Sequence, residues 1–250
     1  MLSRISSTDN IYYFRHRTRR RFWAFVRFLI VFFIVYEVVT GLLVSSHTVE
    51  SVSMTPLLGP GERVLVTPLV YGSRIPLTNL RLPALHLPRR GDVVLAHPAY
   101  FRPDPWYLRS ADSIVSFFTL QKVSLNNHNR RGRTDTLVIE RVVAIPGDTV
   151  SVRDFTVYVK PKGASAFSSA HAIAHVKYET LHQALPAGWG AGLPFSGDLP
   201  PLTLGPNQYL LVGDNRSQSS DSRQWGPVNL KAIVGEVVLC YWPLKDFRIL

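Results

Sequence analysis

Residues 136–152 read TLVIERVVAIPGDTVSV, two runs rich in β-branched residues on either side of the turn signal Pro146-Gly147-Asp148. Valine, isoleucine and threonine favour strands, and proline with glycine favours a turn, so this stretch predicts two strands separated by a turn. The same pattern of short apolar runs between turn signals recurs at residues 63–66, 92–97, 156–159, 209–212 and 232–242. We therefore predict an all-β body, a coiled antiparallel sheet that closes toward a barrel or sandwich.

An almost unbroken apolar run precedes this β body, at residues 22–44. A helix rises about 1.5 Å per residue and a bilayer core is about 30 Å thick, so we predict one transmembrane helix over residues 22–45. Six arginines and only one aspartate precede it. This excess predicts a cytoplasmic segment at residues 1–21 and an extracytoplasmic domain at residues 46–250. The competing interpretation is a cleavable signal peptide, for which Val44-Ser45-Ser46 is a faint cleavage-site match.

One acid, Glu37, interrupts the apolar run deep inside the predicted helix. An ionisable residue at this depth marks a helix partner, or it is accommodated by protonation or by a local tilt of the helix. The second interpretation is the simpler one.

The composition restricts the classes of function. Of the 250 residues 46% are hydrophobic, which excludes a largely disordered chain. The net charge is +11, and beside an apolar helix the arginine block indicates membrane lipid rather than nucleic acid as its partner. Cys240 is the only cysteine, which excludes an intramolecular disulfide, and its apolar surroundings are typical of a core strand. No histidine and cysteine cluster has metal-ligand spacing, so we predict no metal and no cofactor.

Two stretches are interpreted as insertions into the β scaffold. The first, near residues 100–133, combines an aromatic-rich piece with the basic loop NNHNRRGR at residues 126–133. That loop is either a contact for acidic lipid headgroups or a solvated hairpin tip. The second, near residues 164–201, is rich in alanine, histidine, glycine and proline, and is a flexible excursion or a small cap.

The segment Glu50-Ser51-Val52-Ser53-Met54-Thr55-Pro56 follows the apolar run and carries a candidate nucleophile, Ser53. Serine becomes a good nucleophile only when a nearby base takes its proton, and acyl transfer also needs donors for the oxyanion. A second signature, GDNRSQSSDSRQWG, occupies residues 213–226.

Four segments in order, ESVSMTP, RGDVV at residues 90–94, ERVVAIPGD at residues 140–148 and the GDNR block, resemble the bacterial type I signal peptidases. The resemblance implies that Ser53 is the nucleophile, that its N–H and the hydroxyl of Ser51 are oxyanion donors, and that Met54 shapes the substrate groove. It also implies that Ser219 orients the base and that Asp221 and Arg223 form a bracing ion pair. The implied substrates are signal-peptide-bearing precursors, cut without a cofactor at the outer face of the bacterial cytoplasmic membrane.

The sequence departs from the family pattern at position 140. The family has its general-base lysine there, immediately before the arginine that corresponds to Arg141, but this chain has Glu140. Arg141 does not replace that lysine, because a guanidinium keeps its proton in a protein. Burial brings the pKa of a lysine down from about 10.4 toward neutrality, whereas a carboxyl must rise from about 4.3 to do the same work.

Lys122 is a second candidate for the base. Residues 119–125 have the composition of a strand, and a hairpin centred near Arg131 would put Lys122 opposite Glu140. Lys122 then either delivers an amine to the position of the missing lysine or forms a cross-strand ion pair with Glu140 that has no catalytic part. The sequence leaves the base as Lys122, Glu140 or neither.

The first prediction of function is a signal peptidase in which Ser53 forms an acyl-enzyme. The alternative is a non-catalytic relative that binds exported segments as a chaperone or assembly factor, which Glu140 favours and the retained Ser53 and GDNR block oppose. A more distant possibility is a relative of the self-cleaving serine–lysine repressors.

Overall fold

The computed structural model describes residues 7–73, 75, 78, 80–102, 105–119, 137–182 and 198–250. It begins with helix α1 (Ser7–Val38), which continues into a π-helical turn at Val39–Leu43. Within these elements the window Arg19–Leu43 is apolar and long enough to cross a membrane. The helix starts inside the predicted basic segment, because arginine is a good helix former and no glycine or proline precedes Gly41 in the helix.

The body is built mainly of strands, in the order β1 (Ser45–Thr48), β2 (Arg63–Thr67), β3 (Val93–Ala96), β4 (Val138–Ala144), β5 (Thr149–Arg153), β6 (Thr156–Lys160), β7 (Ser168–Ser169), β8 (Leu199–Thr203), β9 (Gln208–Val212), β10 (Val228–Asn229), β11 (Ile233–Trp242) and β12 (Arg248–Ile249). Within the described residues three α-helices interrupt them, α2 (Trp106–Phe118), α3 (Ala170–Ile173) and α4 (Ser222–Trp225). The larger antiparallel sheet has the order β1-β2-β11-β3-β4-β9-β10, with β12 added to β11. The smaller sheet has the order β7-β6-β5-β8.

β4 is the strand that positions the site, because it lies between β3 and β9. On the β3 side Glu140 pairs with Val94, and on the β9 side Arg141 pairs with Val212. The last five residues of β4 are all buried, and they include these two charged side chains. A charge enclosed in this way is costly unless it is paired or neutralised, so both groups need partners nearby.

The N-terminal helical segment is joined to the body by side-chain hydrogen bonds at its C-terminal end. The Thr67 hydroxyl donates to the carbonyl oxygen of Leu43 at 3.0 Å, and the Ser73 hydroxyl donates to that of Leu42 at 3.2 Å. Both carbonyls belong to the end of the helical segment, where backbone acceptors lack intrahelical partners. The β body is therefore fastened directly to the end of the apolar span.

The predicted all-β body with one N-terminal apolar helix is confirmed. The runs read from the sequence correspond to β2, β3, β4, β5, β6, β9 and β11, and Cys240 is fully buried in β11 as expected. The first predicted insertion contains α2, and the second contains β7, α3 and the extended segment that follows them. Of the predicted strand at residues 119–125, Thr119 directly follows α2, while residues 120–125 lie outside the described part of the chain, as do Lys122 and the basic loop.

Candidate active site

Ser53 lies in the turn between β1 and β2, and backbone hydrogen bonds hold that turn against the GDNR block. The Asn215 N–H donates to the carbonyl oxygen of Ser53 at 2.8 Å, and the Asn215 side-chain amide donates to that of Val52 at 3.3 Å. Met54, the next residue, is completely buried in the core between β2, β3 and β11. Burying such a side chain contributes about 1.5–3 kcal/mol, so Met54 anchors the turn that carries Ser53.

The two predicted oxyanion donors are neighbours. The backbone N–H of Ser53 donates to the hydroxyl oxygen of Ser51 at 3.1 Å, and Ser51 is exposed. In this arrangement the Ser51 hydroxyl accepts the hydrogen bond that the Ser53 N–H could otherwise donate. For both groups to bind one substrate oxygen, as the resemblance predicts, the Ser51 side chain would have to rotate.

Glu140 is buried beside Ser53, with only 1% of its surface exposed. The Ser219 hydroxyl donates to the two carboxyl oxygens of Glu140 at 3.3 and 3.5 Å. Burial raises the pKa of Glu140 well above its ordinary value, and the negative charges of Asp221 and Asp214 raise it further. Polar contacts of the carboxyl with the hydroxyls of Ser53 and Ser219 oppose part of this rise in pKa. The protonated form of the carboxyl is therefore favoured more than in an exposed glutamate.

The Arg141 side chain points away from Glu140, and its charge is neutralised by Asp214. Its guanidinium donates two hydrogen bonds to the Asp214 carboxylate, at 2.8 and 2.6 Å, and a third to the carbonyl oxygen of Gly91 at 2.7 Å. The ring of Tyr178 covers the guanidinium, with its centroid 4.2 Å from the central carbon. This bidentate, stacked arrangement is the geometry for which arginine is suited, and it fastens the GDNR block to β4.

Asp221 and Arg223 form a second ion pair on the far side of the block. The Arg223 guanidinium donates to the Asp221 carboxylate from two nitrogens, each at 2.8 Å, and also to the carbonyl oxygen of Arg216 at 2.7 Å. Asp221 in turn accepts from the backbone N–H of Gly213 at 3.2 Å. The pair therefore holds the two ends of the loop that presents Ser219.

Gly213 permits the close approach of the two serines. A Cβ atom at this position would lie 2.5 Å from the Ser219 hydroxyl oxygen and 2.7 Å from the carbonyl oxygen of Ser53. Both distances are shorter than carbon atoms tolerate in such contacts, so any side chain would push the Ser53 turn and the Ser219 loop apart. The requirement for glycine here comes from space, not from a left-handed backbone.

Ser53 and Glu140 line one cavity of about 500 Å³ that opens beside β1. Its walls come from β1, the Ser53 turn, β3, β4, and Tyr100 of the first insertion. Among the described residues no lysine lines it. Of the two bases proposed from the sequence, Glu140 lies at the cavity, and Lys122 falls outside the described residues, so its hairpin pairing remains a prediction.

Sequence reasoning gave no role to two residues that this geometry brings into the site. Asp214 lies in the GDNR block, and its position between a glycine and an asparagine in that block is the sequence feature that could have indicated its role. Tyr178 lies in the second insertion, in a stretch without periodicity, and no pattern in the sequence links it to Arg141.

The sequence model described as "Signal peptidase, peptidase S26" matches residues 22–242 of this chain. The chain belongs to this family. Signal peptidase IB of Staphylococcus aureus (strain Mu50) is 26% identical over 223 residues, which cover 87% of this chain and 88% of the relative. Signal peptidase I of Bacillus licheniformis is 27% identical over 111 residues, 44% of this chain and 53% of that protein. A crystal structure of a signal peptidase I from Enterococcus faecalis V583 is 19% identical, covers 62% of this chain and all of its own, and has a TM-score of 0.32.

Membership of the signal peptidase family agrees with the N-terminal apolar helix as a membrane anchor. At position 140 this chain has a buried carboxyl, whereas the resemblance to the family predicts a lysine amine.

Proposed function

We propose that this chain is a membrane-anchored serine endopeptidase that removes signal peptides from exported precursors at the outer face of the bacterial cytoplasmic membrane. Ser53 is the nucleophile and Glu140 is the proton acceptor. The observation that carries the proposal is the burial of the Glu140 carboxyl beside the Ser53 hydroxyl, in a cavity of substrate size.

A carboxyl with an ordinary pKa is too weak a base to activate serine, and a raised pKa corrects this. Burial and the charges of Asp221 and Asp214 raise the pKa of Glu140. As a consequence, the ionised form that acts as base is populated only toward higher pH, where it is more basic than an exposed glutamate. The rate should therefore increase with pH.

In the proposed reaction the Ser53 oxygen attacks the carbonyl carbon of the scissile peptide bond, while its proton moves to the Glu140 carboxylate. The Ser53 N–H and the Ser51 hydroxyl bind the oxyanion, and Glu140 returns the proton to the leaving amine. The resulting acyl-enzyme is then hydrolysed by a water that gives its proton to Glu140, and Glu140 passes that proton to the Ser53 oxygen as the ester bond breaks. The Ser219 hydroxyl keeps the carboxyl oriented throughout.

The second candidate function is non-catalytic binding of exported segments, and one observation favours it: the raised pKa of Glu140 favours the protonated carboxyl, which cannot act as a base. The groove and the bracing ion pairs serve binding equally well. Under this alternative, Ser53 is never acylated.

The two functions are separated with the purified full-length chain, reconstituted in lipid and given a signal-bearing precursor from about pH 6 to about pH 9. The endopeptidase produces mature protein at a rate that increases with pH, and both Ser53→Ala and Glu140→Gln abolish cleavage. Precursor binding without cleavage at every pH, unchanged by Ser53→Ala, would establish the non-catalytic function. Cleavage that survives Glu140→Gln but is lost in Lys122→Ala would transfer the role of base to Lys122.

A further inference from the structure

Helix α2 packs against the apolar span of α1. The Phe117 ring lies among three aromatic rings of α1, with centroid distances of 4.9 Å to Phe33, 5.4 Å to Tyr36 and 6.0 Å to Phe32. These distances are those of tilted and edge-to-face aromatic packing, which is favourable beyond the area that it buries. The contact therefore fixes the C-terminal end of α2 to a defined level of α1.

That level is inside the thickness of a bilayer. The arginine block ends at Arg21, and Tyr36 and Phe33 follow Phe22 by 14 and 11 residues. At about 1.5 Å per residue they lie roughly 21 and 16 Å above the basic end, whereas a hydrocarbon core is about 30 Å thick. Phe117 must then lie well below the outer surface of a membrane that α1 crosses.

The exposed surface of α2 suits that environment. Large apolar side chains are exposed along its whole length: Tyr107 (57%), Leu108 (44%), Ile114 (43%) and Phe118 (63%). In water this surface would be unfavourable by about 25 cal/mol for each Å² of apolar area, whereas in lipid it is not. The occupant indicated by depth and chemistry is the lipid acyl chain.

Two polar side chains at the C-terminal end of α2 have partners within the protein. The Thr119 hydroxyl donates to the carbonyl oxygen of Val115 at 2.7 Å, so this hydroxyl needs no water. Ser113 hydrogen-bonds the Glu37 carboxyl, the acid that interrupts the apolar span. The sequence left two interpretations of Glu37, a helix partner or accommodation by protonation or a local tilt. Helix α2 supplies a residue for the first of these, Ser113.

We propose that α2 is embedded in the outer half of the bilayer beside α1, with its exposed apolar side chains in contact with lipid acyl chains and Ser113 covering Glu37. Tyr100, which lines the cavity of Ser53, comes six residues before α2. An embedded α2 therefore holds one wall of that cavity at the membrane surface. The proposal requires that α1 crosses the membrane, but it does not require peptidase activity.

The test uses single cysteines in the full-length chain reconstituted in phosphatidylethanolamine–phosphatidylglycerol vesicles. Cys240 is fully buried, and the unsubstituted chain measures its background labelling. Ile114→Cys and Phe118→Cys carry an environment-sensitive fluorophore on the exposed face of α2. Val31→Cys on α1 reports insertion of the anchor, and Ala166→Cys, on an exposed loop of the body, is the aqueous control.

The expected result is that nitroxide-labelled acyl chains quench labels at positions 31, 114 and 118 at least about two-fold more than they quench position 166, while aqueous iodide does the reverse. Iodide quenching at 114 and 118 equal to that at 166, with position 31 in lipid, would overturn the proposal. Aqueous behaviour at position 31 would overturn it as well, because α1 would not cross the membrane.

Discussion

The Ser219 hydroxyl donates to the Glu140 carboxyl at 3.3 Å, in a part of the protein where both side chains are almost completely buried. This contact connects the loop after β9 to the strand β4 and aims the carboxyl toward Ser53. Burial and the charges of two nearby acids, Asp221 and Asp214, stabilise the protonated form of this carboxyl, and the hydroxyls of Ser53 and Ser219 oppose part of that effect. Whether Glu140 can act as a base therefore depends on whether its carboxyl holds this proton.

Glu140→Gln keeps the shape of the neutral acid but cannot accept a proton. We expect its kcat on a precursor to decrease by at least about 100-fold, because proton transfer by a positioned base contributes about 10²–10⁴-fold. Single-turnover cleavage assays on chains of equal thermal stability measure the change. An unaltered kcat would show that Glu140 is not the base.

Glu140→Lys tests the same position from the opposite side, since it introduces the amine that the family pattern has there. Burial lowers the pKa of a lysine, which leaves part of the amine neutral near pH 7. We expect cleavage near neutral pH to be at least about ten-fold faster than in the unsubstituted chain, with a weaker dependence on pH. A slower variant that folds normally would contradict the assignment of this position to the base.

Stability should depend on pH through Glu140. Its pKa is higher in the folded chain than in the unfolded one, so the folded state holds the extra proton. The contribution to the free energy of unfolding is complete below the unfolded pKa of about 4.3 and is lost as the pH rises through the folded value, at up to about 1.4 kcal/mol per pH unit. Glutamine does not titrate, so Glu140→Gln should gain stability relative to the unsubstituted chain as the pH increases. Thermal unfolding of both proteins at several pH values measures this difference, and parallel curves would refute it.

Gly213→Ala should destabilise the chain by about 1–3 kcal/mol and reduce cleavage, because the new Cβ atom would lie 2.5 Å from the Ser219 hydroxyl oxygen. The matched control is Gly59→Ala, where an added Cβ has no neighbour within 4 Å. The two variants are compared by thermal unfolding and by kcat. Equal effects of the two substitutions would show that the close approach at Gly213 is unimportant.

Asp214→Asn leaves the Arg141 guanidinium charged and buried without its acid. Loss of one partner from a buried ion pair typically costs about 3–5 kcal/mol, and the two side chains here are 3% and 0% exposed. Glu62→Gln, in the more exposed pair with Arg248, is the control and should cost no more than about 1 kcal/mol. Thermal unfolding ranks the two, and a similar loss in both would contradict the structural role of Asp214.

Ser51→Ala should lower kcat by about 10²–10³-fold with little change in KM, as removal of one oxyanion donor does. Steady-state cleavage assays give both constants. A change in KM alone would indicate that Ser51 contributes to ground-state binding rather than to the oxyanion.

The strands of the body were predictable because valine-rich runs and proline–glycine turns are local signals. The order of the strands was not, since β11 inserts between β2 and β3 through pairings distant in sequence. Ser53, Glu140 and Ser219 were proposed from ordered motifs, but the burial of Glu140 depends on β3, β4 and the GDNR loop together. Helix α2 was missed, although Ala111, Ile114 and Phe118 have helical spacing, because its partner Phe33 belongs to another segment.

The hydrogen bonds from Thr67 and Ser73 to the carbonyls of Leu43 and Leu42 have a geometric consequence for the proposed peptidase. If α1 crosses the membrane as proposed, these contacts restrict rotation of the body on its anchor and hold Ser53 at a defined distance from the lipid. In a precursor whose own apolar segment lies in the same bilayer, successive peptide bonds lie at increasing distances from the membrane. The hydrogen bonds at the end of the helical segment would thus select the peptide bond to be cut by its distance from the membrane, before any side chain of the precursor is recognised.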